Sequence, residues 1–547
     1  RPLEARVAIV DDDLGHRAYV LAEPLAPGDS LTLAWRVRYR ARGFPNSGVP
    51  TLVVGNGTYF NNYEWMPQLG YQPQRELSNE AQRAEQGLPD RPAVPRLEDE
   101  RAPFFTRHAD VIDLDVVVGT DPDQVAVAPG ALRRTWTEGG RRWFHYRPGA
   151  PIRNSFSILS ARYDVHRARA GDVAIEVLHD PAHGRNAASF AVSMAASLEY
   201  YGARFGAYPH DHLRMVEFPG YANYLRAHPI NIVFGEHFAL LAPERDERDI
   251  DFPFAIVAHE VAHQWWGNAL TPAHVEGGAL LAESLAWYGA LGVVEQRYGD
   301  AHLRRLLDMM RESYLTPRAR ADVPLLRASD WFVSYRKGPF AMYALREYVG
   351  EARVDAALRR FFETWAGRTD RLATSLDLYR ELVAVTPDSL RPLLGDLFER
   401  NTFWSLGAVA ARADSLPSGE WRVTLEFEAA KVAVDTAGVE TPLPFDEPVE
   451  IGVFGVAGQG GVNGGRGEPL YRAWHPLRAG VQTVTVVVPA RPGAAGVDPR
   501  LLLLDTEPFD NVIDIGADGR SAPRPLMQFS ARESAARDRT ALASLGR

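Results

Sequence analysis

DFPFAIVAHEVAHQWWGN, residues 251–268, is the stretch on which the reading of this chain turns. It contains His259, Glu260 and His263, the pattern H-E-x-x-H. On a helix, residues four apart share a face, with Cβ atoms roughly 5–6 Å apart. Two imidazoles so placed can reach one tetrahedral zinc ion at about 2.0–2.1 Å. Glu260 flanks such a metal without ligating it, which is where the general base for an activated water must stand. The flanks predict a helix as well. Asp251 suits an N-cap, Pro253 suits the first turn, and Gly267 suits the stop. Apolar residues surround the helix almost completely, so it should be buried. Burying two histidines and a glutamate is costly unless they are paired or metal-bound. The bland alternative is a core helix that carries the pattern by chance.

A catalytic zinc needs three protein ligands and an open position. Downstream, His274, Glu276 and Glu283 are the candidates. His274 and Glu276 fall in a return loop beside proline or glycines. Glu283 falls one turn into a second predicted helix, from about Ala279 to Arg297, and a rigid element aims a ligand better than a loop. Glu283 is therefore the expected third ligand of a single Zn²⁺ ion.

The rest of the chain bounds the answer. Its 547 residues imply several domains, and an apolar fraction of 46% is enough for several cores. The net charge of −10 carries no basic stripe, so no nucleic-acid partner is expected. Without cysteine, disulfides, thiol catalysis and cysteine-type zinc sites are excluded. No apolar run reaches the ~18 residues of a membrane span. The chain begins at Arg1 without Met or a signal-peptide pattern, which suggests a processed or excised piece of something longer.

Residues 1–171 predict an N-terminal β domain, a saddle or sandwich, with strands such as Arg6–Val10, Ser30–Tyr39 and Trp143–Tyr146. Within it an aromatic loop, 59–78, either packs on itself or lines a substrate cleft. Residues 172–402 predict a mixed α+β domain that turns helical. Residues 403–515 predict a β-sandwich, with Leu501–Asp505 among its strands. The glycine-rich run 455–467 has no G-K-[ST] ending and predicts a hairpin loop, not a phosphate cradle. Residues 516–547 predict a tail or linker. The fold class is thus α+β multidomain.

HEVAHQWWGN, with Glu283–Ser284–Leu285–Ala286–Trp287–Tyr288, resembles the gluzincin metallopeptidases, and among them the M1 aminopeptidase family. That family's signature is H-E-x-x-H-x18-E. Here nineteen residues separate His263 from Glu283, so one residue is inserted, expected in the return loop. The family's Y-x-K-G motif is matched by Tyr335–Arg336–Lys337–Gly338. The resemblance implies that Tyr335 stabilises the oxyanion, and a phenol that stays protonated at neutral pH can do so. It also implies a thermolysin-like catalytic domain without the large C-terminal helical domain of bigger members. The loop at 59–78 and the segments around the motifs are most similar to a bacterial subgroup fused to ABC-transporter-type permeases. That resemblance implies a membrane-tethered domain.

One departure bears on the substrate. Family aminopeptidases carry a G-x-M-E-N strand whose glutamate binds the substrate's free amine. Ungapped matching puts Ala227 at that position, with His228 beside it. Glu217 and Glu236 are the nearest acidic candidates. Three functions follow as expectations: a zinc aminopeptidase using Glu260 and Tyr335, a zinc peptidase cutting internal bonds or blocked peptides, and a binding or sensing module on a transporter.

Overall fold

The computed structural model describes residues 4–12, 15–40, 53–69, 77, 79–89, 94–104, 110–219, 224–241, 250–316, 323–330, 332–456 and 467–522. The far end of the aromatic loop, most of the glycine-rich run and the tail beyond 522 lie outside them.

Among the described residues the chain runs from strands through a helical middle to strands again, a mixed α+β architecture. The N-terminal part holds small antiparallel sheets, among them Val116–Thr120, Arg141–Arg147 and Ala131–Glu138. Ser30–Tyr39 departs from expectation. Its backbone forms no ladder, and Leu33, Trp35, Val37 and Tyr39 stay exposed. Period-two alternation supplies a strand's faces but not its hydrogen-bonding neighbour.

The central sheet has five strands in the order Asp164–Ala170, Val173–His179, His212–Phe218, Asn231–Gly235 and Leu225–Ala227. The three middle strands are parallel, and both outer pairs are antiparallel. Its first hairpin straddles the junction expected near residue 172. Helix Ala187–Arg204 packs against this sheet and against the metal-motif helix, Phe252–Ala262. That helix is capped by Asp251, whose carboxylate accepts from Phe254 N at 3.0 Å. It then packs on helix Leu285–Tyr298, so the motif sits between sheet and helices in the deepest core.

From Thr402 two four-stranded sheets form the C-terminal part. Leu501–Asp505 is not one of their strands. Only Asp505 makes a bridge, to Trp404, while Leu502, Leu503 and Leu504 are buried as core filling. A short apolar run reads the same whether it pairs or simply packs.

Candidate metal centre and substrate cleft

His259 and His263 lie one turn apart at the C-terminal end of their helix. Glu283 reaches them from a π-helical turn, Leu280–Ser284, that opens the next helix. The two Nε2 atoms are 3.1 Å apart, and Glu283 Oε2 lies 3.4 Å from His259 Nε2 and 3.2 Å from His263 Nε2. A tetrahedral ion bound at about 2.0–2.1 Å has ligand-to-ligand edges of roughly 3.3–3.4 Å. All three distances fall close to that edge.

The donor chemistry fits too. His263 Nδ1 is 3.0 Å from the carbonyl of Trp266. A carbonyl only accepts, so Nδ1 carries the hydrogen and Nε2 presents a lone pair. Glu283 Oε2 is buried and makes no hydrogen bond. Lone pairs this close and this buried repel one another unless a cation sits among them. Burial lowers His259 to about 4. Burial also opposes charge on His263, but the Glu283 carboxylate outweighs it and raises the imidazole to about 9. Metal binding would displace that proton. The donor set therefore fits one zinc ion.

Glu260 is 8% exposed, and burial pushes its carboxyl up to about 7. Tyr335 approaches from a second π-helical turn, Val333–Lys337, with its ring 5.6 Å from that of His259. Burial first, then the Glu283 charge, holds its phenol protonated far into alkaline pH. Two contacts fix this approach. Ser284 Oγ donates to Ser334 O at 2.7 Å, joining the two π turns. A Cβ on Gly338 would lie 1.9 Å from Ser284 Oγ, so only glycine permits the closeness. Lys337 is buried and donates from its ammonium to Asn401 Oδ1 at 3.0 Å.

The remaining sequence candidates scatter. Glu217 accepts from Asp180 N at 2.9 Å and pairs with His183. Glu236 accepts from Asn56 Nδ2. Neither lines the cleft of about 660 Å³ walled by Ala282, next to Glu283, and by Gly267. Ala227 ends the edge strand of the central sheet, and His228 is fully buried against Ser155. His274 lines the cleft rather than the metal site, and Glu276 pairs with Arg327.

Sequence reasoning missed three cleft residues: Glu64, Arg153 and Arg226. Arg226 was visible as the neighbour of Ala227, and Glu64 lay inside the aromatic loop. In the described part of that loop, Tyr59 stacks in the core on Phe218 at 4.7 Å, while Tyr63 and Glu64 line the cleft.

Comparison with known proteins matches residues 191–391 to the peptidase family M1 domain. Among solved structures, a mutant of the M1 zinc metallopeptidase from Deinococcus radiodurans aligns with a TM-score of 0.44 at 18% identity. The alignment covers 53% of this chain and 65% of that one, less than two thirds of its length. No curated protein matches the chain. Residues 191–391, which hold the histidine pair, Glu283 and Tyr335, are thus the part of the chain that is similar to the peptidase family M1 domain.

Proposed function

We propose that the chain hydrolyses peptide bonds, with His259, His263 and Glu283 holding one zinc ion and Glu260 as general base. The observation that carries this is the triad itself: three donor atoms at tetrahedral spacing, on buried His259 and partly buried His263 and Glu283, with a carboxyl of raised pKa beside them. Bound zinc would supply Lewis-acid polarisation of the scissile carbonyl and an acidified water. Glu260 takes a proton from the attacking water and returns it to the leaving amine. Tyr335 donates its phenolic hydrogen to the oxyanion that forms on the substrate carbon. The surrounding domain is read as thermolysin-like, on the resemblance of its motifs.

Removal of N-terminal residues is the finer reading, supported by the family match over residues 191–391. Such an enzyme needs an anion for the substrate amine. Glu64 is the carboxylate that lines the cleft and takes that role in this reading. Ala227, standing where the family's glutamate is expected, favours a second reading in which internal bonds or blocked peptides are cut. Equal cleavage of free and N-acetylated peptides would decide for the second. The tether to a membrane permease rests on the resemblance alone; among the described residues no helix is long and apolar enough to cross a membrane.

Glu260→Gln tests the mechanism. It should lower kcat by about 10²–10⁴-fold while zinc content stays unchanged, since the base is lost and the ligands are kept. Turnover at the wild-type rate would overturn the role of Glu260.

A further inference from the structure

Among the described residues, the cleft beside the metal triad is lined by the arginines Arg153 and Arg226 and by the carboxylate of Glu64. Arg226 projects from the edge strand Leu225–Ala227. Its guanidinium lies 5.4 Å from the ring of Tyr224 and 5.9 Å from that of Tyr63, so two aromatic faces hold it. Among the described residues no carboxylate pairs with it within 4.0 Å. Arg153 is fixed differently, donating from Nη1 to the carbonyl of Gly267 at 2.7 Å. Gly267 lies in the turn just beyond the metal-motif helix, four residues after His263, so this bond ties Arg153 to the ligand-bearing segment.

The edge strand is itself fastened to that segment. Asn268 Nδ2 donates to Ala227 O at 3.1 Å, and Gln264 Nε2 donates to His228 O at 3.0 Å. Ile230 N donates back to Gln264 Oε1 at 2.9 Å. Gln264 and Asn268 thereby set where Arg226 stands relative to His263. The Arg226 charge reaches the centre, where it acts to lower the Glu260 pKa against the effect of burial.

Resting on the peptidase reading above, we infer that Arg226, with Arg153, binds a carboxylate of the substrate, making peptides that carry one near the scissile bond the preferred class. A planar guanidinium held between rings suits a carboxylate, and it repels an ammonium. The carboxylate could come from an acidic side chain or from a free C-terminus close to the cut.

The test uses the zinc-loaded protein and four peptides of one backbone: neutral and amidated, acidic and amidated, neutral with a free C-terminus, and lysine-containing and amidated. The inference expects KM for one or both carboxylate peptides about five- to ten-fold below the neutral one, with kcat little changed. The two carboxylate arms identify the source. Arg226→Gln should erase the difference, and Arg226→Glu should transfer the preference to the lysine peptide. Equal KM for neutral and carboxylate peptides in the wild type would overturn the inference. If no peptide is cut, the peptidase reading falls. Calorimetric binding of the same peptides to zinc-loaded Glu260→Gln protein then decides the cation site by itself: tighter binding of carboxylate peptides supports it, and equal binding overturns it.

Discussion

His228 shows what a single burial decides at the edge of the site. It is fully buried, with Nδ1 2.9 Å from Ser155 Oγ and no partner for Nε2. Burial, with Arg226 and Arg153 nearby, lowers its pKa to about 3. The unfolded imidazole titrates near ~6.5, so below that value the unfolded state binds the extra proton. The stability His228 contributes is complete above ~6.5 and drains away toward about 3, roughly 2 kcal/mol being lost near pH 5. His228→Asn keeps a polar atom for Ser155 but cannot titrate. Its unfolding midpoint, measured beside the wild type from pH 7.5 to 4.5, should fall less steeply. Parallel slopes would show that His228 does not titrate as its burial requires. The contrast with the proposed metal site is instructive. His259, Glu260 and His263 were legible because helical geometry fixes their relation locally. Arg153 and Arg226 were not, because seventy-two residues separate them, they stand on different sheets, and only the folded chain brings both to one cleft.

The two π turns, Leu280–Ser284 and Val333–Lys337, are where the elements depart from regular helix, and each carries a residue of the proposed site, Glu283 or Tyr335. A π turn accommodates one residue more than the α-helix it interrupts, and such turns concentrate at functional sites. The extra residue between His263 and Glu283 was expected in the return loop. The π turn around Glu283 offers a different place for it, within the ligand's own helix. The reason is packing: helix Leu285–Tyr298 is fixed against the metal-motif helix, so an added residue is absorbed by a local bulge instead of rotating Glu283 off its face. Deleting Ala279 should then convert the π turn to α-helix and leave zinc affinity within about ten-fold of wild type. Loss of stoichiometric zinc would place the extra residue back in the loop. The metal-motif helix was readable in advance from its Asp251 cap and its apolar run. Ser30–Tyr39 and Leu501–Asp505 were not, because strand identity belongs to a partner that local pattern does not name.

At the scale of the molecule, the peptidase helices and the C-terminal sheets share one continuous core running through Leu397, Phe398, Trp404 and Phe427. A buried charge cluster crosses the same boundary. Lys431 Nζ on the first C-terminal sheet lies 2.5 Å from Asp396 Oδ2 in helix Arg391–Phe398 and 2.9 Å from Glu447 Oε2. Trp404 Nε1 donates to Glu447 at 2.6 Å, and Arg400 pairs with Asp396 at 2.8 Å. Arg500 makes a second crossing, bridging Glu347 and Glu450. The helices before residue 402 and the sheets after it therefore share buried contacts. Removing one partner of a buried ion pair strands the other charge and costs about 3–5 kcal/mol. For Lys431→Met this corresponds to a fall of roughly 3–5 °C in the unfolding midpoint of a transition this large. The whole transition should move together, with no separate melting of the sheets, because both parts lose the same cluster. The triple variant Lys431→Met, Asp396→Asn, Glu447→Gln removes the stranded charges and should recover most of the loss. If Lys431→Met instead splits the calorimetric transition in two, the cluster is a clasp between independently folding units. If the triple variant recovers nothing, the cost comes from lost packing and not from the buried charge.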